Sequence, residues 1–183
     1  IKADKQAYAA FVRSPHAHAI IRGIDAKVAE ETSGVIGVMN GSQLTGDGIG
    51  NIICGWAISS KDGSPMNMGA WSALATEKVR YVGDAVAVVI AESQEIARNA
   101  AELVEVDYDV LPAVVNSVES LRNNACQIHE NAPGNLIFDW EIGNLLETDE
   151  ALKNAAHITK LELTNNRLSP NAMEPRSALA MYN

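Results

Sequence analysis

The sequence predicts an α+β fold with a β-α-β core near the centre of the chain. Three observations support this fold class. Residues 85–91 form a strand-sized run without a polar side chain, residues 94–104 have apolar positions at helical spacing, and residues 104–110 alternate apolar with acidic side chains. A fully apolar strand must be covered on both faces, so the helix is expected to lie close on a sheet.

The helix of the core and the strand before it have recognisable ends. Residues 79–82 are expected to form a strand that turns tightly at Gly83 and Asp84 into the apolar strand. Ser93 is placed to cap the following helix, because a serine hydroxyl accepts a hydrogen bond from a backbone N–H of the first turn. The apolar stripe of that helix consists of Ile96, Ala100, and Leu103 with Val104.

Four further elements are predicted on the N-terminal side of the core. Ser14 and Pro15 mark the break between two strands, and Asp25 stands at the position of a helix cap. Ser33 and Gly34 end the helix that follows Asp25. The predicted elements are strands over residues 8–12, 17–24 and 35–39 and a helix over residues 26–32.

A long loop without periodicity covers residues 41–69 and holds seven of the thirteen glycines of the chain. Long loops inside compact domains are usually functional or covered by a partner. Trp56 lies within this stretch and Trp71 lies just after it, and aromatic side chains are enriched at protein interfaces. The loop is therefore the candidate surface for contacts with a partner.

The patterns weaken after Pro112. A helical turn is expected near residues 114–121, followed by a loop-rich stretch around Pro133. Thr148 is the expected cap of a short helix, and residues 157–168 are expected to form a strand. The residues alone thus predict one domain with an irregular C-terminal extension.

Composition and charge narrow the classes of function. The chain has 183 residues, of which 47% are hydrophobic, and a formal net charge of −9 at pH 7. Binders of nucleic acid or of an anionic membrane need a basic surface, so the charge argues against both. No apolar run approaches the roughly 20 residues that span a bilayer. The N-terminus has no signal-peptide pattern and no starting Met, and both ends look cut, as in a piece of a longer chain.

Cysteine usage points to a compartment. Cys54 and Cys126 are far apart and form neither a zinc-finger pattern nor a redox motif. Because disulfides are rare in reducing compartments, a structural disulfide between them is not expected, and the cytoplasm is the simplest location for such a chain.

Two histidines raise the question of a metal site. In a strand, His16 and His18 would project to the same face. A zinc site needs three or four ligands, however, and nothing in the spacing brings His129 or His157 to this pair. The neighbouring alanines and Ile20 favour packed or hydrogen-bonded histidines over ligands. No metal ligand is therefore assigned.

Near the C-terminal end, the sequence MEPR over residues 173–176 places Glu174 and Arg176 on either side of a proline, shortly after Asn171. A carboxylate and a guanidinium in this arrangement can position polar groups at a site. They can equally form a structural ion pair in a turn. The residues alone do not decide between these two interpretations.

Several long segments, taken in order, resemble the hammerhead domain that opens the large subunit of molybdenum hydroxylases, a family of xanthine dehydrogenases, aldehyde oxidoreductases and aerobic carbon-monoxide dehydrogenases. These segments are RSPHAHAIIRGID (13–25), SGVIGVMNGSQL (33–44), EKVRYVGDAVAVVIAES (77–93) and AAELVEVDYDVLPAVV (100–115). The later IHENAPGN (128–135), AAHITK (155–160) and NRLSPNAMEPRSALAMYN (166–183) resemble the passage into the first molybdenum-binding domain.

The resemblance implies a hammerhead-like α/β domain over residues 1–120, a linker over 121–147 and a truncated start of the molybdenum-binding domain over 148–183. In the family motif RSPxAHA, His18 matches the pattern and His16 sits at a variable place. A metal ligand would not vary, so the resemblance favours histidines that serve the fold.

Family enzymes hydroxylate an aldehyde, an N-heterocycle or carbon monoxide with oxygen from water. A molybdopterin-type molybdenum cofactor accepts the electrons, which pass through iron–sulfur clusters to FAD in partner subunits or domains. The catalytic glutamate and the pterin-binding residues of the family match no position here, so the resemblance assigns this chain no catalytic residue and no cofactor of its own. Glu174 and Arg176 would approach the cofactor region of the whole enzyme.

The resemblance therefore implies a structural and subunit-contact scaffold within the large subunit. Its partners would be the iron–sulfur and FAD-binding subunits or domains and the rest of the large subunit, with no nucleic acid and no membrane. The alternative is a free-standing, non-catalytic assembly or binding module.

Overall fold

The computed structural model describes residues 3–166, 168, 171–174 and 176–181. The chain divides into two compact units, Ile1–Glu141 and Ile142–Asn183. All of the described strands belong to the first unit, whereas one helix is the single regular element described in the second. The described residues contain no helix with the length and apolar character that a membrane crossing requires. The expected boundaries of the domain and linker stay a prediction.

Six strands, described in the first unit, form two three-stranded antiparallel sheets. They are β1 (Tyr8–Arg13), β2 (Ala19–Asp25), β3 (Val35–Asn40), β4 (Lys78–Val79), β5 (Ala85–Ala91) and β6 (Glu105–Val110). The first sheet has the order β1-β5-β3 and the second has the order β4-β2-β6. Successive strands along the chain therefore alternate between the two sheets.

Short helices connect these strands and continue towards the C-terminal end. They are α1 (Lys27–Glu30), α2 (Gly41–Gly46), α3 (Gln94–Ala101), α4 (Ser117–Ser120) and α5 (Leu145–Lys153), with a 3-10 turn over Pro133–Asn135. The predicted cap of α3 is confirmed, because the Ser93 hydroxyl accepts a hydrogen bond from the Ile96 backbone N–H at 3.2 Å. The helical turn expected near residues 114–121 is also confirmed, by α4.

Strand β5 lies at the centre of the core. Ala87 and Val89 pack with Ala100 of α3, and Val86, which precedes them and points to the other face, packs with Val79 in the second sheet. Each fully buried valine contributes about 2 kcal/mol of hydrophobic stabilisation. The apolar run is thus covered by a helix on one face and by the second sheet on the other, as its composition predicts, and the α+β fold class is confirmed.

The turn expected at Gly83 and Asp84 is present, but the strand expected over residues 79–82 is shorter, Lys78–Val79, and does not pair with the apolar strand that follows the turn. Gly83 adopts the left-handed conformation (φ 91°) that the turn requires. Strand β4 then pairs with β2 in the second sheet, whereas β5 pairs with β1 and β3 in the first. The turn therefore passes the chain from one sheet to the other, because each sheet offers a longer-range partner.

Several expected helix positions need correction. The helix after Asp25 has four residues, and Asp25 Oδ1 accepts from the Lys27 N–H just before its first turn. Leu103 is exposed, so Val104 alone continues the buried stripe of α3. Helix α5 is capped by the Asn144 side chain instead of Thr148, one turn earlier than expected.

The strand expected over residues 157–168 is wrong for its described part. Residues 157–166 and 168 have no regular secondary structure and are exposed. Strand backbone groups need partners in a neighbouring strand, and the described residues supply none to this segment. Alternating side chains alone therefore do not make a strand here.

Candidate functional site

The two histidines lie in the connection between β1 and β2 and not within a strand, because β2 begins at Ala19, two residues later than expected. His18 is 5% exposed, and its Nδ1 donates a hydrogen bond to the Pro112 carbonyl at 2.7 Å. Since a carbonyl oxygen only accepts, this bond places the ring proton on Nδ1. His16 is partly buried and meets the ring of Tyr108 edge-on, with the ring centroids 5.1 Å apart. The two rings have different neighbours, and both serve packing.

Replacing His18 by alanine is expected to lower the free energy of unfolding by about 2 kcal/mol, because the substitution removes a buried hydrogen bond and leaves a cavity. The same change at His16 is expected to cost less than about 1 kcal/mol, because that ring loses only a half-buried contact. Urea unfolding of both variants measures the difference. Equal losses at the two positions would contradict these roles.

Cysteine and acidic side chains are the other candidate metal ligands. Cys54 and Cys126 are free thiols, and Cys126 Sγ donates to the Pro112 carbonyl at 3.2 Å. Within the described ranges, no three His, Cys, Asp or Glu side chains are grouped so that they could hold a metal ion. Glu174 and Arg176 are both exposed and form no ion pair with each other in the described part of the chain.

The glycine-rich loop presents apolar side chains to solvent. Trp56 is 80% exposed and Ile53 is 90% exposed, and Ile52 and Trp71 are exposed as well. The Ile52 N–H donates to the Trp71 carbonyl at 2.8 Å, which joins the two ends of this stretch. We call Ile52, Ile53, Trp56 and Trp71 the tryptophan surface. Exposed apolar groups of this kind mark contact surfaces.

The beginning of the loop was not expected to be helical. Residues Gly41–Gly46 form α2, and Asn40 caps this helix with a reciprocal pair of bonds. Asn40 Oδ1 accepts from the Gln43 N–H at 3.0 Å, and Gln43 Oε1 accepts from the Asn40 N–H at 2.8 Å. A polar cap followed three residues later by glutamine is a known helix-start signal, so the sequence did contain the information.

Residues 126–139, which we call the strap, fold into a defined segment where the sequence predicts only a loop. Asn135 adopts a left-handed conformation (φ 59°), which asparagine tolerates better than most residues. Its Oδ1 accepts from the Ile128 N–H at 2.9 Å, and its Nδ2 donates to the carbonyls of Ser120 and Cys126 at 3.0 and 2.9 Å. One side chain thus joins both ends of the strap to the residues before it.

An ion-pair cluster joins the strap to β4. Glu130 accepts from Lys78 Nζ at 2.6 Å and from Arg80 Nη2 at 2.8 Å, and Arg80 Nε donates to the Ile128 carbonyl at 3.1 Å. The hydrogen bond from Lys78, with those from the backbone and Arg80, lowers the pKa of Glu130 from 4.5 to about 2. The pKa of Glu130 is lower in the folded protein than in the unfolded chain. This cluster therefore stabilises the fold above about pH 4.5, and the stabilisation is lost as the pH falls through about 2.

Sequence reasoning missed this cluster for a clear reason. Lys78 and Arg80 are two positions apart on an extended segment, which signals a basic pair on one face. The chain contains 23 acidic residues, however, and Glu130 is 50 positions away from Arg80. Nothing local distinguishes Glu130 from the other carboxylates.

Two protein-family models match the chain. Residues 1–112 match the model described as "aldehyde oxidase and xanthine dehydrogenase, a/b hammerhead domain", and residues 128–183 match the molybdopterin cofactor-binding domain. The second match begins within the strap. It therefore includes residues that lie in the first compact unit as well as the whole of the second.

Curated relatives agree with these models. The chain is 30% identical over 200 residues to the carbon monoxide dehydrogenase large chain of Afipia carboxidovorans, a match that covers 98% of this chain and 22% of the relative. It is 32% identical over 182 residues to the nicotine 6-hydroxylase large subunit of Paenarthrobacter nicotinovorans, which covers 100% of this chain and 21% of the relative. The chain thus spans about a fifth of the length of these relatives.

Solved structures show the same architecture. The structure of a Cu,Mo-CO dehydrogenase in the carbon monoxide reduced state superposes with a TM-score of 0.68 at 30% identity, over 86% of this chain and 20% of that chain. The aldehyde oxidoreductase from Desulfovibrio gigas superposes with a TM-score of 0.59 at 31% identity, over 72% of this chain and 14% of that chain. The resemblance inferred from the sequence segments is confirmed, and the chain belongs to the aldehyde oxidase and xanthine dehydrogenase family of molybdenum hydroxylases, of which residues 1–112 are the α/β hammerhead domain.

Proposed function

We propose that this chain is a structural and subunit-contact scaffold within the large subunit of a molybdenum-dependent oxidoreductase. The observation that carries the proposal is the tryptophan surface, in which two tryptophans and two isoleucines within residues 52–71 are all exposed. Residues 41–72 contain only three charged side chains, Asp47, Lys61 and Asp62. A weakly charged surface rich in aromatic groups has the composition of the buried centre of an interface.

The second compact unit supports the same proposal. Every described residue from 142 onwards is exposed. Many of these side chains are large and apolar, and a segment that buries none of them has no core of its own. We propose that other parts of a large subunit cover them. The exposed apolar residues of this unit include Leu146, Leu161, Leu163, Leu168, Met173 and Met181.

The described residues of this unit do not by themselves fit a pterin cofactor. A cofactor site is concave and buries most of its ligand, whereas Glu174, Arg176 and their described neighbours are all exposed. Our proposal for Glu174 and Arg176 is that they approach the molybdenum cofactor once further polypeptide of the large subunit encloses them.

For the whole enzyme, we propose hydroxylation of an aldehyde, an N-heterocycle or carbon monoxide with oxygen from water, in the cytoplasm. Relatives of this chain are named as the large subunits or large chains of carbon monoxide dehydrogenase and nicotine 6-hydroxylase. A large subunit is named as such beside other subunits, so these names support the proposal that this chain also has partner subunits. We propose that these partners are the subunits or domains that carry iron–sulfur clusters and FAD.

The tryptophan surface is tested by replacing Trp56 and Trp71 together with alanine in the full-length large subunit. We expect the dissociation constant for the partner subunits to rise at least tenfold, because large aromatic groups dominate the energy of interfaces. Native mass spectrometry of the co-expressed complex over a dilution series measures this change. The matched control is Trp140→Ala, which removes another exposed tryptophan outside the surface.

The control variant should assemble like the natural sequence. Unchanged association of the double variant, with subunits that remain folded, would show that the tryptophan surface is not the contact surface. Equal weakening by Trp140→Ala would likewise contradict the assignment, because the effect would then not be specific to this loop.

A further inference from the structure

The strap connects two parts of the chain that the family models assign to different domains. The match to the cofactor-binding domain begins at residue 128, within the strap. The strap nevertheless lies in the same compact unit as the hammerhead residues. There it runs beside residues 58–69 of the glycine-rich loop, in the opposite chain direction. The contacts join Lys61 with Asp139 and Asn67 with Ile137.

These contacts are hydrogen bonds at several points along the strap. The Lys61 N–H donates to the Asp139 carbonyl at 2.7 Å, and the Asn67 N–H donates to the Ile137 carbonyl at 2.8 Å. Lys61 Nζ also forms an ion pair with the Asp139 carboxylate at 2.8 Å. Asn131 Nδ2 donates to the Met68 carbonyl. The strap and residues 58–69 are therefore joined by contacts near both ends of their shared length.

The strap also approaches the glycine-rich loop closely at Gly69. A methyl group built on Gly69 would lie 3.1 Å from Nδ1 of His129, so the absence of a side chain lets the strap approach the loop. Burial of the His129 ring, and then the nearby Arg80 guanidinium, lower the pKa of His129. The imidazole is thus held as a neutral packing group between the strap and the loop.

The loop has few other connections. Apart from bonds within the segment, all hydrogen bonds found for residues 58–69 in the described part of the chain lead to the strap. The strap in turn is held beside β4 by Glu130, which bridges Lys78 and Arg80, and by the hydrogen bond from Arg80 Nε to the Ile128 carbonyl. The two ion pairs of Glu130 are therefore the main side-chain connection from the second sheet to the strap, and through the strap to the loop.

We propose that the strap is the positioning element of the glycine-rich loop, and that the bridge from Glu130 to Lys78 and Arg80 keeps both in place. Cofactor-domain residues would thereby set the shape of a hammerhead surface. The proposed placement of the loop is argued from contacts within this chain and does not rest on the proposed function. Only the consequence for subunit contacts, through the adjoining tryptophan surface, rests on the proposed function.

The test compares Glu130→Gln with Asp109→Asn in the 183-residue chain by amide hydrogen exchange, followed by NMR at pH 7. Both changes turn a carboxylate into an amide. Asp109 forms an exposed ion pair with Arg22 in the second sheet, and no hydrogen bond or ion pair found for its side chain in the described part of the chain leads to the strap. In Glu130→Gln we expect the amides of Lys61 and Asn67 to exchange at least tenfold faster. In Asp109→Asn their exchange should not change.

Exchange of the β5 amides reports on the fold in the same spectra. Unchanged exchange of Lys61 and Asn67 in Glu130→Gln, with β5 protected, overturns the proposal. If β5 also loses protection, Asn131→Ala decides, since it removes the side chain that reaches Met68 and leaves Glu130 in place. Faster exchange of Asn67 in that variant supports the positioning role, and unchanged exchange overturns it. Neither readout involves subunit assembly, so failure here is distinct from failure of the proposed function.

Discussion

Replacing Gly41 by alanine is expected to lower the free energy of unfolding by more than about 3 kcal/mol, near the upper end of overpacking effects. A methyl group at this position would lie 2.5 Å from the carbonyl oxygen of Ala75 and 2.7 Å from that of Leu74. Both neighbours are backbone atoms, so no side chain can rotate away. The start of α2 or the segment before β4 would have to move.

The matched control lies in the same helix. At Gly46 an added methyl group has no atom within 4 Å, and its backbone conformation is not left-handed. Because alanine favours helices over glycine, Gly46→Ala is expected to raise the free energy of unfolding by up to about 0.5 kcal/mol. Urea unfolding measures both variants. A loss of less than 1 kcal/mol in Gly41→Ala would show that the close approach of backbones is not essential.

Replacing Leu74 by alanine is expected to cost about 3 kcal/mol of unfolding free energy, because buried leucines lose both transfer energy and packing. Leu74 is 2% exposed and is among the largest fully buried side chains of the described residues. The matched control is Leu146→Ala, in which an exposed leucine of α5 is truncated in the same way.

The control is expected to change the free energy of unfolding by less than about 0.5 kcal/mol in the isolated chain, because its side chain buries little surface. Thermal and urea unfolding of both variants provide the measurement. Similar losses in the two variants would mean that the core does not extend to the segment before β4.

Local signals in the sequence predicted much of the first unit. Strand β5 has no polar side chain, and it is covered on both faces. Ser93 stands before an apolar stripe and caps α3. Each of these features depends on residues that are close in sequence, and physical rules of burial and capping apply to them directly. The helix capped by Asn40 was predictable by the same rules and was missed.

Pairing between distant segments could not be predicted in this way. Lys78 and Val79 have the pattern of a strand that could turn back on β5, but the second sheet provides a competing partner in β2. The strap depends on Glu130 and Asn135, whose partners lie far along the chain or in irregular segments. Which distant segments pair depends on the whole fold, and the local propensity of a segment does not determine its partner.

The candidate site was partly predictable. The length of the glycine-rich loop, with Trp56 and Trp71, indicated a surface for contacts with a partner; both side chains are exposed, and the contact itself stays a prediction. The positions of Glu174 and Arg176 relative to a cofactor depend on chain outside the described residues, and their role stays a prediction. The strand expected over residues 157–168 differs from the structure for a related reason. An extended segment becomes a strand only when another strand lies beside it.

The alternation of successive strands between the two sheets affects how the polypeptide acquires its structure during synthesis. The central strand of the first sheet is the fifth described strand along the chain, and the second sheet gains its third strand only with Glu105–Val110. A nascent chain that ends before Ala85 therefore completes neither sheet. We expect the domain to fold in one late, slow event dominated by contacts distant in sequence. If the domain were cut between β3 and β4, each fragment would carry strands of both sheets. We expect that neither fragment would fold until the two recombine.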